Sequence, residues 1–338
     1  MKKIRIFDTT LRDGMHAVSH SFSVDDMARI AGALEDAGAD TIEVSHGDGL
    51  GGSSYQYGFA AHSDEEYLRA VSAQLKNSKL AILLIPGIGT AEDLKMAAEC
   101  GVKVARIATH VTEADIGQQH IQLAKEKGME AIGFLMMTHM VPAEKVVEQA
   151  KLFESYGADA VNCADSAGAM LPKDVEARIS LLKANLKIPV GFHAHNNLGL
   201  AVGNSLAAIA AGADYIDATL RGLGAAAGNT PHEVLVAALK KMGLDVREDL
   251  YKLMDAAEDI VKPLMKRPLD LDKHSLSIGY AGTYGSFLLH AKRVAQRFGV
   301  DARDVLMELG RLKTVGGQED MIFDVAYRLS KTRGTSII

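Results

Sequence analysis

A chain of 338 residues with 48% hydrophobic content can bury a large core, and has room for one barrel with an appendage or for two ordinary domains; a fibrous or disordered protein is excluded. Its 37 basic and 43 acidic residues are mixed along the length without basic blocks, giving a formal charge of -6, so small molecules or proteins are the expected partners and nucleic acid is not. Cys100 and Cys163 each sit in an apolar run and form no C-x-x-C pair, which argues against a disulfide framework or a thiolate zinc site and reads both as buried small hydrophobes. The N-terminus leads straight into a strand-like segment, and no apolar run approaches the roughly 18 residues of a membrane helix, so a soluble cytoplasmic protein is expected.

Short β-branched apolar runs predict strands at 4–8, 41–45, 80–85, 104–109, 131–136, 160–164, 190–194 and 215–219. Helical patterns lie between them, among them 24–36 opening at Ser23, 91–99 opening at Thr90, and 143–155 following Pro142. One junction recurs where a helix gives way to a strand: Ala37-Gly38-Ala39-Asp40, Cys100-Gly101-Val102-Lys103, Tyr156-Gly157-Ala158-Asp159 and Ala211-Gly212-Ala213-Asp214. Glycine there suits the left-handed conformation that ends a helix. Eight βα units in about 240 residues predict a closed (β/α)8 TIM barrel over 1–243, with an open doubly wound sheet as the alternative. Beyond Gly243 the alternation stops, and helices at 250–261, 287–298 and 302–309 predict a helical C-terminal domain over 244–338.

In such a barrel, functional groups gather where strands end and loops begin. The seventh strand runs into His193-Ala194-His195, and strand alternation turns both imidazoles to the same side. Taken alone, an H-x-H pair reads equally well as two core or capping histidines; its place at a strand end favours ligands. The first strand continues through Arg12-Asp13-Gly14-Met15-His16, and barrel closure brings it near strands seven and eight, so Asp13 can complete a metal site with His193 and His195. The bland alternative, Asp8 and Asp13 as caps of a polar turn, explains Asp8 better than Asp13. One carboxylate with two imidazoles suits Mn2+, Fe2+, Co2+ or Zn2+ and leaves positions open for a substrate chelating through oxygen.

The segments Asp8-Thr9-Thr10-Leu11-Arg12-Asp13-Gly14 and His193-Ala194-His195-Asn196-Asn197-Leu198-Gly199 resemble the HMG-CoA lyase-like metal aldolases over essentially the whole chain. Many synthases of that superfamily carry glutamine where this chain has His16, and its HMG-CoA lyases place a catalytic cysteine in the loop that here, from Arg221 to Asn229, has none. Arg12-Asp13-Gly14-Met15-His16, the glycine-rich stretch from His46 to Ser54, Cys163-Ala164-Asp165-Ser166-Ala167-Gly168 and Ala281-Gly282-Thr283-Tyr284 are similar instead to its 4-hydroxy-2-oxovalerate aldolase branch. The resemblance implies a divalent metal on Asp13, His193 and His195, with Mn2+ expected first and Co2+ or Mg2+ as alternatives. It implies reversible cleavage of a 4-hydroxy-2-oxoacid through a pyruvate enolate. It also implies a heteromeric partner, an acylating acetaldehyde dehydrogenase that receives the aldehyde through a channel and docks on the helical C-terminal region.

Chemistry and resemblance together assign roles. Arg12 holds the developing enolate or the carboxylate, and His16 is the general base, imidazole being suited to proton transfer near neutrality; His20 is the weaker candidate. Substrate contacts are expected from Arg12, Asp13, Ser166, His193 and Tyr284, with Tyr284 read as a helical residue and Asn229 as a supporting group or extra ligand. Gly47, Gly49 and Gly52 satisfy G-x-G-x-x-G, yet no helix opens there and no acidic residue ends the third strand, so the run reads as a flexible active-site loop and not a dinucleotide site. A metal-dependent hydrolase and a noncatalytic binding barrel are the rivals from other classes.

Overall fold

The computed structural model describes residues 4–333. Eight parallel strands close on themselves in sequence order: β1 Arg5–Asp8, β2 Thr41–Glu43, β3 Lys79–Leu84, β4 Val104–His110, β5 Glu130–Met136, β6 Ala160–Asp165, β7 Val190–Ala194 and β8 Tyr215–Ala218. The seam is the β1–β8 ladder, where Ile6 registers with Ile216 and Asp8 with Ala218. This is the closed barrel expected from the repeat, and the strand ends move by only one or two residues.

Helices α1 Val24–Ala37, α2 Asp64–Ser72, α3 Ala91–Glu99, α4 Gln118–Glu126, α5 Ala143–Ser155, α6 Pro172–Asn185, α7 Ala201–Ala210 and α8 His232–Lys241 form the outer ring. Ser23 and Thr90 cap α1 and α3 in reciprocal capping boxes with Asp26 and Asp93. The repeated junction is a left-handed turn, φ 85° at Gly38 and 104° at Gly212, where a Cβ would be strained.

Inside the barrel, side chains alternate by layer because strand residues point to opposite faces. Phe7, Val104, Ile132 and Tyr215 pack one apolar layer, and Leu83, Ala108, Phe134 and Ala164 pack another. On β4, Arg106 lies between Val104 and Ala108, so it projects into the space between those layers.

The helix expected at 250–261 is α-helical only in α9, Leu250–Asp255, and widens to a π-helix over Ala256–Val261. Leu253, Ala256, Ala257 and Val261 join the barrel's own core, so barrel packing runs past the boundary drawn at Gly243. A separate core of Ile278, Phe287, Leu306, Leu309, Ile322 and Val325 unites α10 Lys273–Ala281, α11 Phe287–Phe298, α12 Ala302–Arg311 and α13 Asp320–Arg333. Among the described residues, no helix is long and apolar enough to cross a membrane.

Candidate active site

The site lies at the C-terminal ends of the strands. Asp8, the last residue of β1, is fixed by accepting the Thr10 N–H at 2.9 Å and pairing with His232 Nδ1 at 2.8 Å, after which the chain turns through a 3-10 helix, Asp13–His16. That turn carries Asp13 to β7. Asp13 Oδ2 stands 3.2 Å from His193 Nε2 and 3.7 Å from His195 Nε2, with the two rings 5.0 Å apart. One donor atom from each residue lies within 4.8 Å of the others, so one carboxylate oxygen and two imidazole nitrogens converge on a volume that fits a divalent cation.

The local electrostatics favour a cation. Burial opposes ionisation of Asp13, but Arg12 and the two histidines outweigh it and hold the carboxyl well below its usual range. Burial pushes His195 down to about 4, leaving it neutral with a free lone pair near neutrality. His193 is lowered by burial too, yet its hydrogen bonds to Asp13 and Asp217 carry it above the ordinary value.

Behind these residues runs a chain of charges absent from the sequence-based expectation. Arg12 Nε donates to Glu43 at 2.5 Å, Arg106 Nη1 donates to the other Glu43 oxygen at 2.9 Å, and Arg106 Nη2 donates to Asp217 at 2.5 Å. Asp217 also accepts from Asn162 Nδ2 at 3.1 Å and from His193 Nδ1 at 2.9 Å. Burial opposes the charge of Asp217, but Arg106 and His193 keep it ionised, and a carboxylate can only accept. His193 Nδ1 therefore carries a proton, so Nε2, which faces Asp13, is the nitrogen that a cation would take in place of its proton. The signal was in the sequence: Glu43, Arg106 and Asp217 are charged residues flanked by apolar ones inside barrel strands.

A cavity is lined by Arg12, Asp13, His16, Asp48, Ser166, His193, His195 and Tyr284. Arg12 is almost fully buried, and its Nη2 has no hydrogen-bond partner. His16 ends the 3-10 turn at the cavity wall, while His20 is buried behind it, its ring edge-on to His16 at 5.1 Å and stacked on His46 at 3.8 Å. Ser166, one residue past β6, accepts the Met137 N–H at 3.0 Å through Oγ and keeps its own proton to donate. Asn229 is buried and bridges its backbone to that of His195. Its Nδ2 donates to the Leu223 carbonyl, and its Oδ1 is unpartnered.

Two expectations are corrected. Tyr284 is not helical: it stands in the turn between α10 and α11 and donates its hydroxyl to Met136 Sδ at 3.3 Å, so the C-terminal helices contribute a wall of the cavity. The glycine loop is anchored to the barrel: Asp64 accepts the N–H groups of His46 and Gly51, each at 2.9 Å, and Leu50 is fully buried. Both cysteines are free and buried.

Residues 3–260 match the HMGL-like family, and residues 269–331 match a DmpG-like communication domain. The chain is 71% identical over 330 residues to the 4-hydroxy-2-oxovalerate aldolase of Carboxydothermus hydrogenoformans, covering 98% of each. It is 57% identical over 334 residues to the Pseudomonas putida protein of that name, covering 98% of this chain and 96% of that one. The fold superposes on the carboxyl transferase domain from Rhizobium etli pyruvate carboxylase with a TM-score of 0.84 at 19% identity, covering 98% of this chain and 61% of that one, a likeness of fold alone. Identity sustained across both the barrel and the C-terminal helices places the chain in the HMGL-like family, among the 4-hydroxy-2-oxovalerate aldolases.

Proposed function

We propose that this protein is a divalent-metal-dependent class II aldolase that reversibly cleaves 4-hydroxy-2-oxopentanoate (4-hydroxy-2-oxovalerate) to pyruvate and acetaldehyde. The observation that carries this reading is the unpartnered Nη2 of buried Arg12, in the wall of the cavity that Asp13, His193 and His195 share. A buried guanidinium N–H without an acceptor calls for an oxyanion, and a 2-oxoacid supplies one, whereas a metal-dependent hydrolase has no need of it.

Asp13, His193 and His195 would hold the divalent ion, Mn2+ by our reading, with the unpartnered Asn229 Oδ1 available as a further donor, and such an ion would supply Lewis-acid stabilisation of several kcal/mol to negative charge on the substrate. Arg12 binds the oxygen on which that charge develops, and Ser166 donates to the carboxylate. His16 accepts the C4 hydroxyl proton. The C4–O bond then becomes the aldehyde carbonyl as the C3–C4 electron pair passes toward C2, and a proton returned to C3 completes pyruvate. Tyr284 orients the aldehyde end from the C-terminal side. The exposed Leu276, Tyr280, Leu289, Phe323 and Tyr327 of the communication domain support docking of an acylating acetaldehyde dehydrogenase there.

Replacing the base tests the assignment. His16→Ala should retain its metal and lose about 10²- to 10⁴-fold in kcat. Near-normal turnover with metal retained would remove His16 from the mechanism. Metal-dependent deuterium exchange at the pyruvate methyl group distinguishes the aldolase from a hydrolase, which would show ester hydrolysis without exchange.

A further inference from the structure

A second group of ligand atoms stands beside the first. One ring nitrogen from each of His16 and His20 and a carboxylate oxygen of Asp48 lie within 4.8 Å of one another. Their convergence follows from the geometry at Gly47: a Cβ built there would sit 2.7 Å from His16 Nε2 and 2.7 Å from His20 Nε2. The same Cβ would also sit 2.7 Å from His16 Cε1, so only a residue without a side chain lets the two imidazoles lie this close to the backbone and to each other.

Independent features prepare these atoms. His20 Nε2 is buried and has no hydrogen-bond partner, so its donor capacity goes unused. His46 stacks on the His20 ring and is itself locked, Nε2 donating to the Gly58 carbonyl at 3.1 Å and Nδ1 accepting the Asp48 N–H at 3.1 Å. Burial, then the neighbouring His16 and His46, push His20 down to about 2, which keeps its ring neutral.

We propose that His16, His20 and Asp48 form a second, inhibitory site for a borderline-soft divalent cation such as Zn2+, distinct from the Asp13–His193–His195 site. Metal ligands are commonly oriented by a carboxylate behind the ring, as Asp217 orients His193; among the described residues no carboxylate bonds His20. The second site is therefore the weaker, and fills only with metals high in the Irving–Williams order, Zn2+ ahead of Mn2+. An ion there takes the His16 lone pair, which can no longer accept the hydroxyl proton. The inhibitory consequence rests on the reading of His16 as base; occupancy of the site does not.

The test is a Zn2+ titration of the Mn2+-loaded full chain, with total bound metal measured by elemental analysis and aldol cleavage followed in parallel. The wild type should plateau at two ions per chain, losing turnover in proportion to the second. His20→Asn and Asp48→Asn should plateau at one, and so should Gly47→Ala, which fills the space while keeping all three ligands. Asp13→Asn should keep its Zn2+ at the second site. The first-site ion reports folding in the three second-site variants. A wild-type plateau at one ion, or a second ion persisting in both ligand variants, overturns the site. Two ions bound with turnover intact overturns the inhibition, and with it the assignment of His16 as the base.

Discussion

Replacing Asp217 with asparagine should weaken metal binding although Asp217 touches no metal. One oxygen of this buried carboxylate accepts from Arg106, Asn162 and His193, while the other has no partner, so an amide can preserve the acceptor and the shape and lose only the charge. The buried assembly now sets three carboxylates, Asp13, Glu43 and Asp217, against two guanidiniums, Arg12 and Arg106; the variant has two against two. The His193 ring loses its charge-assisted bond, and the cation loses a neighbouring negative charge. Changes of this kind in groups that orient a ligand typically cost about 10- to 100-fold in metal affinity, roughly 1.4 to 2.7 kcal/mol. Competition against a chelating dye measures the affinity, and unfolding of the metal-free protein reports the cost of leaving Arg106 with one charged partner. A variant binding metal within about threefold of wild type would refute the idea that the buried charge sets ligand strength at His193.

Arg12→Lys keeps the charge but not the planar fork, so it should retain metal and lose about 10²- to 10³-fold in kcat/KM; an unchanged value would remove Arg12 from oxyanion binding. A Cβ at Gly191 would overlap the buried Tyr215 ring, so Gly191→Ala should cost about 1–3 kcal/mol or more, read as a lowered Tm, and an unaltered Tm would contradict the packing. His232 is lowered by burial, but its bond to Asp8 carries it above its ordinary 6.5. Its stabilisation is therefore complete below that value and is lost as pH rises through the higher folded-state value. The Tm advantage of wild type over His232→Gln should accordingly be full below 6.5 and shrink as the pH rises above it, and a constant difference would refute the pairing.

The barrel was legible because its signals are local: β-branched runs, Ser23 and Thr90 as caps, and the glycine at each helix end. The convergence of Asp13, His193 and His195 was legible because strand alternation alone aligns His193 with His195, and barrel closure supplies Asp13. Tyr284 was misplaced because the C-terminal region reads as mostly helical, whereas Gly282, at φ 66°, ends α10 two residues before it. The glycine loop looked mobile because its anchor, Asp64, lies a dozen residues beyond it. Glu43, Arg106 and Asp217 were missed for a different reason. Each stands out singly as a charge between apolar strand neighbours, but only the three-dimensional register of β2, β4 and β8 shows that the three meet in one chain.

That chain has little to do with stability. Arg106 is fully buried, with its guanidinium 4.6 Å from the Phe134 ring centre and 5.4 Å from that of Phe7, between the two apolar layers. Desolvating such charges roughly cancels what their pairing returns, and a hydrophobic trio of the same volume would hold the barrel as well or better. What apolar residues cannot do is fix direction. Glu43 orients Arg12, Asp217 orients His193, and Arg106 ties both carboxylates to β4. The guanidinium on a loop and the imidazole on a strand are thereby referred to one rigid frame. The separation between Arg12 and the candidate metal ligands Asp13, His193 and His195 is thus set from inside the barrel wall.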